Sequence, residues 1–122
     1  MKKKSSLINS FRYAFSGIFS ALKSERNMKI HMVALVLVVV FGFLLRISET
    51  EWIVCILCIA LVISSEMINT AIEKTVDLAT DEIKETAKKA KDIAAGAVLI
   101  NAIGSAIIAA IIFIPKIIEL LR

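Results

Sequence analysis

The stretch that decides the fold is "WIVCILCIALVISSEMINTAIE", residues 52–73. Its first twelve residues are apolar, as in a helix that crosses a lipid bilayer. Its second half places Glu66, Asn69 and Glu73 three and four residues apart, which puts them on one helical face. A carboxylate in a membrane helix costs several kcal/mol, so it usually faces a protein interior or a water-filled site. The stretch therefore predicts a membrane helix with a polar site at one end.

The composition also points to a membrane. The chain has 122 residues, of which 58% are hydrophobic, and its mean hydropathy is +0.83. A soluble domain of this length cannot bury so large a share of apolar side chains. We therefore expect one integral membrane domain, residues 1–122. The N-terminus "MKKKSSLINSF" lacks the apolar core of a signal peptide, so we interpret the chain as mature.

Three segments have about the 20 residues that a spanning helix needs. They are residues 30–47, 52–72 and 93–114, and we expect Pro115 to end the third. In residues 5–24, apolar side chains recur at three- and four-residue steps beside basic and serine side chains, a pattern typical of an amphipathic helix at the membrane interface. The predicted fold class is an all-α integral membrane protein with three transmembrane helices after an N-terminal interfacial helix.

Two observations within these segments concern packing. Cys55 and Cys58 form a CxxC inside an apolar run without a second pair, so we predict packing rather than a redox or zinc site. The third span repeats small side chains every four residues, including Asn101 and Ser105, which favours close approach of helices and self-association.

Basic residues predict the orientation. Residues 1–29 carry seven Lys and Arg, and the predicted connection 74–91 carries five, whereas Arg46 stands alone between the first two spans. The positive-inside rule places the N-terminus and the 74–91 connection in the cytoplasm. This topology explains the basic excess, and no nucleic-acid partner is predicted.

The acidic face is the candidate site. Glu66 lies deepest and is suited to accept a proton, while Glu73 and Glu25 are placed to share a hard cation such as Mg²⁺. Lys91 offers a positive charge to a phosphate. Ion pairing between helices and ordinary interfacial charges are the alternatives. The only histidine, His31, is interpreted as an interfacial residue. No glycine-rich phosphate loop is present, so the residues alone do not indicate a kinase.

A resemblance adds the activity. "EMINTAIEKTVDL" (residues 66–78) and "AKDIAAGAVLI" (residues 90–100) resemble the prokaryotic diacylglycerol kinase family of small membrane lipid kinases. "ERNMKIH" (residues 25–31) is similar to the Gram-positive branch, whose members phosphorylate undecaprenol and in some cases diacylglycerol. The resemblance implies a homotrimer with active sites between subunits, ATP as co-substrate and Mg²⁺ as cofactor.

The resemblance also implies roles for individual residues. Glu66 would be the general base, Asn69 would order the site, and Glu25 and Glu73 would hold the metal. Nucleotide contacts would come from Tyr13, Glu25, Glu73, Asp77, Glu82, Lys84, Lys91 and Asp92.

The predicted function is transfer of the ATP γ-phosphate to the hydroxyl of a membrane lipid, with undecaprenol as the first candidate and diacylglycerol as the second. Two other classes stay open: a proton-coupled transporter that uses Glu66, and a structural subunit of a larger complex that has neither activity.

Overall fold

The computed structural model describes residues 6–122, which contain four α-helices and no strand. The helices are α1 (Leu7–Ser24), α2 (Arg26–Leu44), α3 (Glu49–Ala79) and α4 (Glu85–Leu121). By length and composition, α2, α3 and α4 are each able to cross a membrane. The prediction of an all-α protein with three spanning helices is therefore confirmed. The start of the predicted interfacial helix, residue 5, and the lysines of residues 2–4 lie outside the described residues.

Serine caps define where two of the helices begin. The Ser6 hydroxyl accepts a hydrogen bond of 3.1 Å from the Asn9 backbone N–H at the start of α1. At the start of α3, the Glu51 N–H donates to the Ser48 hydroxyl at 3.1 Å, and the Ser48 N–H donates to the Glu51 carboxylate at 2.9 Å. This reciprocal pair satisfies two backbone groups that the helix leaves open.

The turn between α2 and α3 is tightly packed. Arg46 has a φ of 54°, in the left-handed region, and the Ile47 N–H donates to the Gly42 carbonyl at 3.1 Å. The Trp52 ring lies over Gly42 and 4.9 Å from the Phe43 ring, measured between centroids. A glycine is needed at position 42 because any side chain there would meet the indole.

The main apolar cluster lies next to this turn and joins α3 to α4. It consists of Ile47, Cys55, Ile112 and Phe113. Cys55 is buried in the cluster, Cys58 is half-buried, and both thiols are free. Lys116 adds an ion pair with Glu51 at 3.3 Å, which ties the far end of α4 to the start of α3.

The helices extend further than the hydropathy predicts. The polar residues 74–91 that connect the second and third apolar segments are mostly helical, because α3 continues to Ala79 and α4 begins at Glu85, which leaves only residues 80–84 between the two helices. The polar residues on both sides are good helix formers, and Lys88–Asp92 and Lys89–Glu85 form ion pairs one turn apart. The two helices therefore continue as polar extensions beyond the apolar segments.

Pro115 does not end α4, which continues to Leu121. A proline inside a helix removes its own N–H as a donor and crowds the carbonyl four residues earlier, here that of Ile111. Helices that cross membranes tolerate this loss, because neighbouring helices and local adjustment satisfy the freed group. The strong helix formers after Pro115 and the Lys116–Glu51 ion pair support the last turn.

Gly42→Ala tests the packing of this turn. A Cβ at position 42 would lie 2.5 Å from the Trp52 Cη2 atom and 2.8 Å from Cζ2. Because the indole must move, we expect a loss of about 1–3 kcal/mol in the free energy of unfolding. The measurement is thermal unfolding in detergent micelles. Gly104→Ala is the control, since a Cβ there meets nothing within 4 Å. Equal stability of the two variants would contradict the packing described.

Candidate active site

Glu66 is the buried charged residue of the described chain. It lies on α3, and only 2% of its surface is exposed. Asn69 and Thr70, one turn further along α3, are the other buried polar residues. The burial arises within one chain, where α1, α2 and α4 all contact α3. The helices thus enclose a polar group inside an otherwise apolar bundle.

His31 on α2 faces this carboxylate. Its Nε2 atom lies 3.5 Å from the Glu66 Oε1 atom, and its side chain is 16% exposed. Met28, one turn earlier on α2, is completely buried. The interpretation of His31 as an interfacial residue therefore missed its main contact. A carboxylate inside a membrane needs a partner, and this requirement is the signal in the sequence that points to His31. His31 is the only histidine of the chain.

Four buried polar atoms at this position have no hydrogen-bond partner among the described residues. They are His31 Nε2, Glu66 Oε1, Asn69 Oδ1 and Thr70 Oγ1. The separation of 3.5 Å between the first two is an ion-pair distance, too long for a strong hydrogen bond. Each unpartnered buried group costs about 1–3 kcal/mol, so proteins rarely collect several without a functional reason. The cluster is therefore a candidate for binding or catalysis.

The polar face of α3 changes from buried to exposed along its length. After Glu66 and Asn69, Glu73 is half-buried and accepts a hydrogen bond of 3.5 Å from the Asn69 side-chain amide. Asp77, one turn later, is exposed and forms an ion pair of 2.5 Å with Lys91 on α4. One continuous helix thus carries the predicted carboxylates from the interior of the bundle to its polar end.

A cavity of about 430 Å³ lies at that polar end. Four of the predicted nucleotide contacts line it, namely Asp77, Glu82, Lys84 and Lys91. Lys88 also lines it, so the cavity presents three ammonium groups, which attract phosphate, together with carboxylates. The cavity forms where the 80–84 link brings the end of α3 against the start of α4.

The remaining predicted residues lie apart from the lining of this cavity. Tyr13 is exposed on α1. Asp92 is exposed and pairs with Lys88 at 2.7 Å. Glu25 is half-buried between α1 and α2, and its backbone N–H donates to the Ala21 carbonyl at 3.1 Å. The structure therefore groups predicted residues from the end of α3, the 80–84 link and the start of α4 around the cavity. Tyr13 and Glu25 lie apart from it, on or directly after α1, the helix that packs against α2 and α3.

Glu25 and Glu73 are the two carboxylates predicted to hold a magnesium ion. Within residues 6–122, no group of three or more His, Cys, Asp or Glu side chains is arranged to hold a metal. Mg²⁺ does not need one, since it commonly takes one or two protein carboxylates and completes its shell with phosphates and water. Neither Glu25 nor Glu73 forms an ion pair with a described basic residue.

A second cavity, of about 320 Å³, lies between α2, α3 and α4. Its lining is almost entirely apolar and includes Leu35, Ile59 and Ala106. His31 is the one ionisable nitrogen among its lining residues. Because His31 also contacts Glu66, the apolar cavity and the buried carboxylate adjoin the same side chain.

The family model for prokaryotic diacylglycerol kinase matches residues 12–113. An undecaprenol kinase of Bacillus subtilis (strain 168) is 47% identical over 107 residues, covering 88% of this chain and 87% of that protein. A diacylglycerol kinase of Synechocystis is 39% identical over 116 residues, covering 94% of this chain and 66% of that protein.

A more distant relative, a diacylglycerol kinase of Escherichia coli (strain K12), is 33% identical over 94 residues and 77% of each chain. The family-model match, residues 12–113, includes all of α2 and α3, with the polar face of α3, and α4 as far as Phe113. The chain belongs to the prokaryotic diacylglycerol kinase family.

Proposed function

We propose that this protein is an ATP-dependent lipid kinase that transfers the γ-phosphate to the hydroxyl of undecaprenol and so makes undecaprenyl phosphate. The observation that carries the proposal is the single helix α3, which holds a carboxylate buried to 98% at Glu66 and ends at a cavity lined by Lys91. The similarity to an undecaprenol kinase at 47% identity supports the choice of acceptor.

Glu66 acts on the lipid hydroxyl. As the lipid oxygen bonds to the γ-phosphorus, the bond from that phosphorus to the bridging oxygen of ADP breaks, and the hydroxyl proton passes to the Glu66 carboxylate. The apolar surroundings exclude bulk water, which would otherwise compete as the acceptor. The carboxylate lies within a membrane helix because the acceptor stays in the bilayer.

Residues nearer the polar end hold the nucleotide. When bound at Glu25 and Glu73, Mg²⁺ supplies positive charge that offsets the charge of the phosphates. Asn69 orients the Glu73 carboxylate through its side-chain amide, and Lys91, held by Asp77, faces the phosphates. Tyr13, Glu82, Lys84 and Asp92 are proposed to contact the rest of the nucleotide.

The acceptor is proposed to lie against the apolar cavity beside His31, which suits a hydrocarbon chain. Diacylglycerol is the second candidate, because relatives at 33–39% identity are diacylglycerol kinases. A proton-coupled transporter would also use Glu66, but it leaves the cavity lined by Asp77 and Lys91 without a role. For this reason a kinase is preferred.

In the proposed arrangement, the chain is a single domain of a bacterial plasma-membrane protein, with its N-terminus and the 80–84 link in the cytoplasm. The helix α1 lies in the cytoplasmic interface, since Leu7, Ile8, Phe11, Phe15 and Phe19 are all more than half exposed and need an apolar environment. A homotrimer is proposed on the resemblance to the family and on the small side chains of α4.

Replacing Glu66 tests the proton acceptor. Glu66→Gln keeps the shape of the side chain but removes its basicity, so we expect turnover to fall at least about 100-fold while nucleotide binding is kept. The measurement is phosphate transfer from labelled ATP to undecaprenol in lipid-doped micelles with magnesium, together with ATP binding.

Glu49→Gln is the matched control, because Glu49 is an exposed carboxylate at the opposite end of α3. We expect this control to keep the activity of the natural chain. Near-normal turnover of Glu66→Gln would show that another group accepts the proton.

Replacing Lys91 tests the nucleotide cavity. Lys91→Met removes a charge that faces the phosphates, so we expect the KM for ATP to rise on the order of tenfold, the equivalent of roughly 1.4 kcal/mol. Lys89→Met is the control, since Lys89 is an exposed lysine that pairs with Glu85 at 3.8 Å. An equal change of KM in both variants would mean that the effect is one of net charge rather than of the cavity.

A further inference from the structure

We infer that His31 is a positioning residue for Glu66: its Nε2–H donates to the Glu66 Oε1 atom and holds the carboxylate in the orientation in which it accepts the proton of the lipid hydroxyl. This inference rests on the proposed function, since it gives the proton acceptor of that reaction a partner.

Within residues 6–122, His31 is the one basic side chain at ion-pair distance from Glu66, with Nε2 and Oε1 3.5 Å apart. Both atoms are buried and neither has a hydrogen bond to any described group. A hydrogen bond between the two atoms would satisfy both of them at once.

The distance between His31 Nε2 and Glu66 Oε1 is compatible with a hydrogen bond that shortens when the substrate binds. A separation of 3.5 Å is too long for a strong hydrogen bond, but catalytic hydrogen bonds are often long before the substrate binds and shorten in the complex. The buried oxygen Oε1 is the one that faces His31, which leaves Oε2 for the substrate.

The packing of α2 holds His31 in place. Met28 lies one turn earlier on α2, on the same face, and is completely buried, which fixes the rotation of this part of α2 against the bundle. The carboxylate of a glutamate has a broad terminal torsion and would otherwise turn freely. His31 therefore provides from α2 the restraint that α3 itself lacks, and it does so at the edge of the apolar cavity.

Four substitutions of His31 test the inference. Glutamine places its amide nitrogen near the position of Nε2, whereas asparagine does not reach it, and leucine and phenylalanine offer no donor. For His31→Leu, His31→Phe and His31→Asn we expect kcat to fall about 10- to 100-fold, the effect of losing one hydrogen bond to a charged group. We expect His31→Gln to stay within about threefold of the natural chain, since it keeps the donor.

The same preparations give KM for ATP, KM for undecaprenol and the unfolding temperature. A positioning role predicts that these three stay close to the values of the natural chain while kcat falls. The control is Ser65→Ala, which removes another half-buried polar group of the spanning helices; its hydroxyl donates to the Val62 carbonyl at 2.9 Å. We expect the control to keep kcat.

Each other outcome overturns the inference. Natural kcat in His31→Leu or in His31→Phe, whichever variant folds, shows that Glu66 needs no partner. An equal loss in His31→Gln and His31→Leu shows that hydrogen bonding is not the reason for the loss. A loss of kcat that comes with a matching change in KM or in unfolding temperature shows a structural role.

The inference and the proposed function fail in different ways. One outcome is that the natural chain transfers phosphate, that Glu66→Gln is inactive and that His31→Leu is fully active. In that case only the role of His31 is wrong. If the natural chain transfers no phosphate to a lipid, or if Glu66→Gln retains turnover, the proposed function or its proton acceptor is wrong, and the role of His31 falls with it.

Discussion

The burial of the Glu66 carboxylate in a membrane-spanning helix is the constraint on which the rest of this structure depends. Only 2% of Glu66 is exposed, although its helix is otherwise apolar enough to cross a bilayer. A carboxylate is expensive in such surroundings unless protein covers it and gives it a partner. The bundle meets this need from α2, which places the completely buried Met28 and the side chain of His31 on the same face. The polar face of α3 then continues through Asn69 and Glu73 toward water.

This change along α3, from buried to exposed polar side chains, matches a reaction between one substrate in the bilayer and one in water. The proposed lipid acceptor stays in the bilayer, and ATP comes from the water on one side, so the catalytic groups must lie along a line from apolar to polar surroundings. A helix that crosses the interface provides such a line with fixed spacing. In this chain the buried end carries the proposed proton acceptor, and the exposed end, with Asp77 and Lys91, borders a cavity of about 430 Å³.

Much of this organisation is predictable from the sequence, because apolar run length and three- and four-residue spacing are local properties. They predict three spanning helices and the alignment of Glu66, Asn69 and Glu73. The ends of the helices were less predictable: α3 and α4 extend into polar residues that hydropathy treats as a connection, and α4 continues through Pro115 with support from the distant Glu51. His31 was missed because its contact with Glu66 is 35 positions away in sequence and depends on how α2 rotates against α3.

The most direct measurement is phosphate transfer from labelled ATP by the purified protein in magnesium-containing micelles, with undecaprenol and diacylglycerol offered separately and then in competition. We predict that labelled undecaprenyl phosphate is the dominant product. Dominant phosphatidic acid would keep the buried carboxylate as proton acceptor but change the acceptor lipid. Transfer to neither lipid would contradict the account, and a search for proton-coupled transport through Glu66 would then be the next step.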